Sequence, residues 1–348
     1  MPKQCYLVRS SNLHMKPSLP VAAGEASTTQ ASLKTSDDSR HPLRLVLITP
    51  ARNEAEFIER TIRSVTTQTV RPEKWVIVSD GSTDGTDEIV LRHAADHPWI
   101  ELVRMPERAE RNFAGKVLAF NAGQVRIKDV PHELIGNLDA DISFGPDYFE
   151  FLLGRFATDP RLGVAGTPFN ERGKTYDYRF VSIEHVSGAC QLFRRACFED
   201  IGGYLPMPGG GVDHLAVIKA RMHRWKTRTF TERECQHHRS IGTARYSNLA
   251  RWFAVGRLDY ALGGHPLWEL FRVVYQTTKQ PYGLGGLMIL AGYYSAWIRH
   301  LDRPIPAELV RFRQWEQMQR LKSFLLHRGG GSPGVGRTAL AEHPDSEA

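Results

Sequence analysis

Two acidic clusters carry most of the chemistry that this sequence can perform. Asp80-Gly81-Ser82 follows an apolar run at 74–79, and Asp139-Ala140-Asp141 follows a second apolar run at 133–138. Carboxylates at the ends of buried strands are unfavourable unless they bind a cation or the donor groups of a ligand. Mg²⁺ in proteins typically takes one or two carboxylates together with phosphate oxygens of a substrate. The two clusters therefore predict a site for a nucleotide and a divalent metal ion.

Each cluster has a simpler interpretation when it is considered alone. Segment 80–86 holds the Ser, Thr and Asp residue types that cap helices, so it is equally typical of a plain strand-to-helix turn. The aspartate pair at 139–141 is, by itself, more typical of a solvated loop. Lys116 stands at a predicted helix start, where it either reaches a phosphate or lies on the surface. The functional interpretation depends on these residues meeting in space.

The elements that must position these residues alternate between strands and helices. Apolar runs and helical periodicity predict strands at 43–50, 74–79, 100–104 and 133–138, and helices at 54–68, 84–95 and 115–125. This alternation predicts an α/β fold with a mostly parallel sheet that is flanked by helices. Ligands of such folds bind outside the carboxyl ends of the strands, which is where the polar clusters lie.

Composition restricts the partners of the protein. At 348 residues, with 41% hydrophobic and 24% charged residues, the chain is long enough for one large α/β unit with additions. The net charge of +7 and the pI near 9.3 favour anionic partners. The basic residues are scattered and not interleaved with aromatic residues on one face, so nucleic acid is the least favoured partner and we expect none.

Cysteine usage and the amino-terminal residues favour a cytoplasmic protein. The basic residues near the start are not followed by a continuous apolar run, so no secretory signal is predicted. The four cysteines show no metal-ligand spacing and indicate reduced, buried thiols: Cys5, Cys190, Cys197 and Cys235. We expect the protein to act in the cytoplasm, where activated nucleotides are available.

The chain divides into five predicted regions. Low-complexity composition predicts a disordered tail at 1–42 and a flexible tail at 329–348. Between them we predict a nucleotide-binding half at 43–142, an acceptor-binding half at 143–245 and a helical extension at 246–328.

The helical extension contains an uncharged run at 282–298 that raises the question of a membrane. The run is short for a transmembrane span, so an interfacial helix, a short span and a buried core helix all remain open. Its length and glycine content favour the interfacial helix. Segment 308–326 predicts a basic amphipathic helix whose residues, Arg313 and Arg320 among them, face anionic lipid. We therefore expect peripheral contact with an anionic membrane, at the inner face of the cell membrane.

Four motifs in order resemble the nucleotide-binding half of a family 2 glycosyltransferase of the GT-A fold. The motifs are Thr-Pro-Ala-Arg-Asn-Glu at 49–54, Ser-Asp-Gly-Ser-Thr-Asp-Gly-Thr at 79–86, Gly115-Lys116 with Asn121, and Leu-Asp-Ala-Asp at 138–141. The resemblance covers about residues 43–240. It implies a GT-A, Rossmann-like sheet with a helical C-terminal extension. It also implies an enzyme that moves a sugar from a nucleotide-diphosphate donor to a hydroxyl acceptor.

The resemblance also implies which residues form the donor site. Asp141 is the predicted ligand of Mg²⁺ or Mn²⁺, and a histidine of the pair at 237–238 completes the metal or diphosphate site; we assign His238. A surface histidine pair remains the alternative. The predicted nucleotide-sugar site consists of Pro50, Arg52, Glu54, Asp80, Lys116 and Asp139.

Catalysis and acceptor binding are expected in the second half. Asp213 is the predicted general base, at the point where the family usually carries Glu-Asp and this chain carries Val-Asp. His214 is a rival or a helper, and an N-cap role is compatible with catalysis for Asp213. His185, Gln191 and Arg194 are predicted to line the acceptor cleft. Asn248 replaces the Gln of the processive members, which argues against polymerisation.

The sequence therefore predicts a metal-dependent glycosyltransferase, which the resemblance implies to be inverting. Its expected acceptor is a lipid-linked or saccharide precursor in cell-surface polysaccharide or glycolipid synthesis. A sugar-1-phosphate nucleotidyltransferase is the first alternative, but it needs a Gly- and Arg-rich phosphate loop that segment 50–54 does not provide. The second is a non-catalytic membrane-associated scaffold, which has no need of Asp139, Asp141 and Asp213 together.

Overall fold

A computed structural model describes residues 43–107, 113–171, 182–239, 248–276 and 284–326. All of them belong to the unit Pro42–Ala348. The tails predicted at 1–42 and 329–348 lie outside the described residues.

Strands and helices alternate through the first half, and helices follow. The strands are β1 (Leu45–Ala51), β2 (Lys74–Asp80), β3 (Ile100–Met105), β4 (Leu134–Leu138), β5 (Ile142–Phe144), β6 (Leu162–Gly166), β7 (Phe169–Asn170), β8 (Cys190–Arg194), β9 (Lys226–Thr229) and β10 (Cys235–His237). The helices are α1 (Ile58–Thr66), α2 (Thr86–Asp96), α3 (Phe113–Arg126), α4 (Tyr148–Thr158), α5 (Arg195–Asp200), α6 (Val212–Met222), α7 (Asn248–Ala261), α8 (Pro266–Gln276), α9 (Leu284–Ile298) and α10 (Ala307–Leu326).

A seven-stranded sheet organises the α/β part, in the order β3-β2-β1-β4-β8-β6-β9. β1 pairs in parallel with β2 and β4, β2 with β3, and β6 with β9. β8 runs antiparallel to both of its neighbours, β4 and β6. The predicted α/β fold with a mostly parallel sheet and a helical C-terminal region is confirmed, and the four predicted strands correspond to β1–β4.

Both faces of this sheet are covered, which explains why its strands read as continuous apolar runs. Along β1, Leu45 and Leu47 enter one core and Val46 and Ile48 enter the other. Helices α1 and α4 cover the first face, and α3, α6 and α10 cover the second. The carboxyl ends of β1, β2 and β4 therefore meet along one edge of a rigid, fully covered sheet.

A small second sheet completes that edge. Its order is β5-β10-β7, with β10 antiparallel to β5 and His237 opposite Ile142. This sheet was not predicted from the sequence. Its consequence is that a segment about one hundred residues after β4 in the chain lies beside the aspartates that follow β4.

The C-terminal helices pack on one another at unusually short range. A side chain on Gly256 of α7 would collide with the carbonyl oxygen of Ile289 on α9, and one on Gly292 would collide with the carbonyl oxygen of Phe253. Small residues at a helix crossing let the two backbones approach closely. Within the described residues, no helix has both the length and the apolar character that a membrane crossing requires.

The predicted helix at 308–326 is present as α10, but it is not a free lipid-facing helix. Leu309 and Phe312 are buried in the core beneath the main sheet. Arg313 is also buried, and Arg320 pairs with Glu184 at 3.1 Å. Helical periodicity shows which residues share a face, but it does not show that a neighbouring element covers that face.

Candidate active site

The turns after β1 and β2 are tied together by hydrogen bonds. The side-chain oxygen of Asn53 accepts a bond from the amide of Thr83 at 2.9 Å, and the Asn53 amide donates to the Ser82 hydroxyl at 3.1 Å. Asn53 has a φ of 55°, in the left-handed region that Asn tolerates better than most residues. The Glu54 amide donates to the Thr86 hydroxyl at 2.8 Å. These bonds fix the positions of the neighbouring predicted donor-site residues.

The predicted base-site residues meet at the ends of these strands. Pro50 lies opposite Val78 in the β1–β2 ladder. Asp80 is buried, and its carboxylate lies 3.8 Å from the guanidinium of Arg52. Gly81 has a φ of 68°, and a Cβ there would lie 2.6 Å from the Cα of Glu107, so only glycine suits this turn.

The second acidic cluster forms a three-residue group with a histidine from β10. Ligand atoms of Asp139, Asp141 and His237 all lie within 4.8 Å of one another. The Nε2 atom of His237 is 3.6 Å from a carboxylate oxygen of Asp141. Its Nδ1 atom donates to the carbonyl oxygen of Arg239 at 2.5 Å, because a carbonyl can only accept. In the neutral ring this bond places the unshared electron pair on Nε2, facing the carboxylates, as in histidines that bind metals.

The imidazole ring that lies beside the Asp141 carboxylate belongs to His237, whereas the sequence predicts His238 as the metal ligand. The Nε2 atom of His238 lies 2.9 Å from the hydroxyl of Ser143, and its Nδ1 atom lies 3.5 Å from Arg60. Burial and then Arg60 lower the pKa of His238. Neighbouring side chains of an extended segment point to opposite sides, so only one of the two histidines faces the aspartates.

Lys116 pairs with Asp139 across the cleft. Its Nζ atom lies 2.5 Å from a carboxylate oxygen of Asp139. Burial lowers the pKa of Lys116, but Asp139, Asp213 and Asp141 together outweigh burial and the net pKa is raised. Burial raises the pKa of Asp139, Lys116 opposes this, and the neighbouring Asp141 adds to it. The ammonium group therefore stays charged where an anionic ligand would arrive.

Asp213 stands in the first turn of α6, after a glycine turn in which Gly210 and Gly211 have φ values of 99° and 81°. A Cβ on Gly188 would lie 2.6 Å from a carboxylate oxygen of Asp213, so this glycine lets the backbone approach the carboxylate. The side-chain amide of Gln191 donates to the Asp213 carbonyl oxygen at 3.3 Å. The main chain of Asp213 is thus fixed by Gln191, and its carboxylate occupies the space that Gly188 leaves free.

These residues border one cleft of about 220 Å³. Its wall is polar where the strands end and apolar where α3 and the segment after α5 approach. The lining residues are Lys116, Val117, Phe120, Asn137, Asp139, Phe169, Ser187, Gly188, Ala189, Tyr204, Gly211, Val212, Asp213 and His237. Metal-site residues, the lysine and the predicted base therefore face the same space.

Two predicted acceptor residues have structural contacts instead. Gln191 is fully buried, and its side chain bonds the carbonyl oxygen of Val186 at 2.9 Å and the hydroxyl of Tyr204 at 2.9 Å. The Arg194 guanidinium bonds carbonyl oxygens on the far side of the sheet, that of Phe156 at 2.8 Å among them. Because β8 runs antiparallel to β4, Arg194 lies at the end opposite the cleft.

The predicted histidines His185 and His214 lie beside the cleft as a pair, with their Nδ1 atoms 3.4 Å apart. Burial lowers the pKa of His185. Burial and then Arg313 lower the pKa of His214 further, well below its ordinary value. Burial thus favours the neutral form of both rings, and they do not belong to the cleft lining described above.

The fold is of the GT-A type. The structure is similar to that of a mannosyltransferase, PcManGT from Pyrobaculum calidifontis, solved in complex with GDP-Man and Mn²⁺, with a TM-score of 0.51 and 20% identity over 84% of this chain and 78% of that chain. This likeness concerns the fold. Residues 46–203 match the glycosyl transferase family 2 model.

Curated relatives belong to polysaccharide synthesis. The chain is 26% identical over 170 residues to a poly-beta-1,6-N-acetyl-D-glucosamine synthase of Staphylococcus aureus (strain COL), covering 43% of this chain and 39% of that protein. The synthase of Staphylococcus epidermidis is 27% identical over the same shares. The chain therefore spans about two fifths of the length of the curated relatives that it matches.

Proposed function

We propose that this protein transfers a sugar from a nucleoside diphosphate donor to an acceptor hydroxyl, with inversion at the anomeric carbon. The observation that carries the proposal is the convergence of Lys116, Asp139, His237 and Asp213 on one cleft at the carboxyl ends of the parallel strands. The family 2 segment at 46–203 supports the same reaction class. A scaffold protein has no use for this convergence.

A divalent cation fits the group formed by Asp139, Asp141 and His237. The three ligand atoms lie close enough to share one ion, and the histidine is oriented by its bond to the Arg239 carbonyl. Carboxylates suit both Mg²⁺ and Mn²⁺, and an imidazole ligand favours Mn²⁺. The ion, when bound, neutralises charge on the departing diphosphate as a Lewis acid.

Asp213 acts as the general base in this proposal. Its carboxylate accepts the proton of the acceptor hydroxyl as that oxygen attacks the anomeric carbon. Gln191 fixes the main chain of Asp213 through its carbonyl oxygen, and the absence of a side chain at Gly188 leaves room for the carboxylate. Asp213 belongs to α6 and the metal ligands belong to the β4 turn and β10, so base and leaving group are held by different elements. This separation supports attack from the face opposite the diphosphate.

The donor site extends from the cleft to the turns after β1 and β2. Asp80 accepts the ring N–H of the base, with Arg52 beside it, and Pro50 and Glu54 form the adjoining wall. Lys116 binds a phosphate oxygen once a donor competes with Asp139 for its ammonium group. Experiment must identify the base and the sugar of the donor. The candidates are uridine, guanosine and thymidine diphosphate sugars, and GDP-mannose is among them because the similar mannosyltransferase was solved with GDP-Man.

We further propose that the C-terminal helices rest on an anionic lipid surface, which supports a lipid-linked acceptor. On α8, Leu267, Leu270 and Val274 are exposed at a spacing that places them on one face. On α9, Leu287 and Ile298 are exposed. Tyr294 and Trp297 form an aromatic pair at the C-terminal end of this helix, near Ile298. Aromatic residues suit the headgroup region. The exposed basic residues in this region are Arg257, Arg299, His300, Arg311 and Lys322.

A donor screen tests the proposed reaction. Thermal unfolding and release of nucleoside diphosphate are measured for the three classes of nucleotide sugar, with Mn²⁺ and with EDTA. One donor class is expected to stabilise the folded protein by about 2.7 kcal/mol at a hundredfold excess over its Kd, and only when Mn²⁺ is present. Equal stabilisation in EDTA contradicts the metal-dependent site. No stabilisation and no hydrolysis with any class contradicts the proposed function.

A further inference from the structure

Arg239 lies between the two acidic parts of the donor site. It lies two residues after the end of β10. One guanidinium nitrogen is 2.5 Å from a carboxylate oxygen of Glu54, and Nε is 3.6 Å from a carboxylate oxygen of Asp141. The guanidinium also lies over the ring of Phe57, 5.2 Å from its centre. A single cation thus bridges the wall of the base site and the metal group.

The contact with Asp141 is incomplete. The Nε atom of Arg239 is buried and has no hydrogen-bond partner among the described residues, although the carboxylate is near. A buried N–H without a partner is unfavourable, so this arrangement is not the best one available to the guanidinium. The remaining side chain is about one-third exposed, which leaves room for it to turn towards the cleft.

A divalent cation and this guanidinium compete for the same carboxylate. A metal ion bound to Asp141 places two positive charges close to Arg239. Like charges at such short range repel each other more strongly at a partly buried site than in water, so the bound ion disfavours the present position of the guanidinium. A diphosphate held by the same metal offers the guanidinium new oxygen acceptors, which a planar fork of donors binds well.

We propose that Arg239 is an exchangeable counter-cation: it neutralises Asp141 and Glu54 while the donor is absent, and it moves to the diphosphate when metal and donor bind. The inference rests on the proposed function and adds a consequence to it. Metal ion alone must displace the arginine, whereas metal ion with diphosphate gives the arginine a partner. Metal and nucleotide therefore bind cooperatively, each raising the affinity of the other by the same factor.

Arg239→Gln separates this role from a structural one. Mn²⁺ affinity is measured by electron paramagnetic resonance, without nucleotide and with saturating UDP or GDP, together with the thermal unfolding temperature. Without nucleotide, the variant is expected to bind Mn²⁺ about five- to tenfold more tightly than the parent, because the competitor is gone. At saturating Mn²⁺ its affinity for the nucleoside diphosphate is expected to fall about tenfold or more, since a charged hydrogen bond is lost.

Arg233→Gln is the matched control. Arg233 lies in the turn before β10 and pairs with Asp147 at 2.6 Å, so it is an equally close ion pair away from the metal group. Its loss is expected to change neither affinity. If Arg239→Gln lowers the unfolding temperature and leaves Mn²⁺ affinity unchanged or weaker, Arg239 only stabilises the fold and the inference is overturned. If the parent binds no Mn²⁺ with either nucleotide, the proposed function fails first and this inference fails with it.

Discussion

The α/β region at 43–239 and the helical region at 248–326 distribute charge and apolar surface in opposite ways. In the first region, charged side chains converge on an open cleft and large apolar side chains are buried. In the second, charged side chains are buried between helices and large apolar side chains are exposed. Of the large hydrophobic side chains that are exposed in the described residues, eleven lie in 249–326 and three in 43–239.

The buried charges of the helical region form one network. Asp259 pairs with Arg313 at 2.5 Å and with Arg272 at 3.3 Å. Glu269 is fully buried 3.5 Å from Arg272, and neither of its carboxylate oxygens has a hydrogen-bond partner within the part of the chain that is described. Burial and then Asp259 raise the pKa of Glu269 to about 8.

This contrast shows that the two regions present different kinds of surface. The α/β region places polar groups where a soluble, charged ligand arrives from water. The helical region encloses a group of charged side chains between its helices and presents apolar side chains outward. Substitutions in the two regions should therefore differ in their effects on activity, stability and pH dependence, and a substitution on the exposed face should change what that face contacts.

The largest effect is expected at the cleft. Asp213→Asn removes the proposed base and should reduce sugar transfer by about 10²–10⁴-fold, while donor binding and the unfolding temperature stay near those of the parent. Transfer is followed by the release of nucleoside diphosphate in the presence of acceptor. Asp159→Asn, which breaks an exposed ion pair with Lys226 in the same region, is the control and should keep parental activity. If Asp213→Asn retains parental activity, Asp213 is not the general base.

The next effect is expected where α7 and α9 cross. Gly292→Ala places a methyl group against the carbonyl oxygen of Phe253 and should lower the free energy of unfolding by about 3 kcal/mol. Gly154→Ala is the matched control in α4 of the α/β region, because a Cβ there meets nothing within 4 Å. It should be neutral or stabilise by about 0.5–1 kcal/mol. Similar urea denaturation curves for the two variants contradict the close helix crossing.

A smaller effect concerns the pH dependence of stability. Between the ordinary pKa of a glutamic acid and about 8, folded Glu269 holds a proton that the unfolded chain has released. Stability therefore falls as the pH rises, by about 1.4 kcal/mol per pH unit for one proton. Glu269→Gln removes this dependence, so its stability should gain about 2 kcal/mol on the parent between pH 6 and pH 8.

Urea denaturation at several pH values checks this expectation. Glu308→Gln changes an exposed carboxylate on α10 and should follow the parental pH curve. Parallel curves for Glu269→Gln and the parent mean that the buried carboxyl group is ionised in both states, and that the contrast between the regions is weaker than described.

The smallest expected effect concerns the exposed face of α9. Leu287→Glu should weaken binding to vesicles that contain anionic phospholipid by about tenfold, because one leucine side chain no longer enters an apolar layer. Leu91→Glu changes a comparably exposed leucine on α2 of the α/β region and should leave vesicle sedimentation unchanged. If the parent protein does not sediment with vesicles but dimerises as its concentration rises, the exposed face binds a second copy of the chain and not a membrane.

Much of the α/β region could be predicted from sequence because its strands and turns are specified by residues that are close together in the chain. The strands β1–β4 are continuous apolar runs, and each acidic turn directly follows its strand. The antiparallel course of β8 depends on pairing between distant segments, so the position of Arg194 was not predictable. The same holds for the choice between His237 and His238, which is set by the register of a ladder only three residues long.

Other features needed the three-dimensional structure for the same reason. Glu54 and Arg239 are 185 residues apart in the chain, and no local pattern indicates their ion pair. The burial of Arg313 on α10 depends on α7, which the periodicity of α10 does not describe. The position of Asp213 beside the cleft was predictable only through its family motif.

Mn²⁺ binding by two neighbouring histidine variants tests the central claim, that oxygen and nitrogen ligands from β4 and β10 converge on one cation. The affinity is measured by electron paramagnetic resonance with saturating nucleoside diphosphate. His237→Ala should weaken Mn²⁺ binding by at least about tenfold, while His238→Ala keeps the parental affinity. Loss of affinity in His238→Ala alone, or in neither variant, contradicts the site as described.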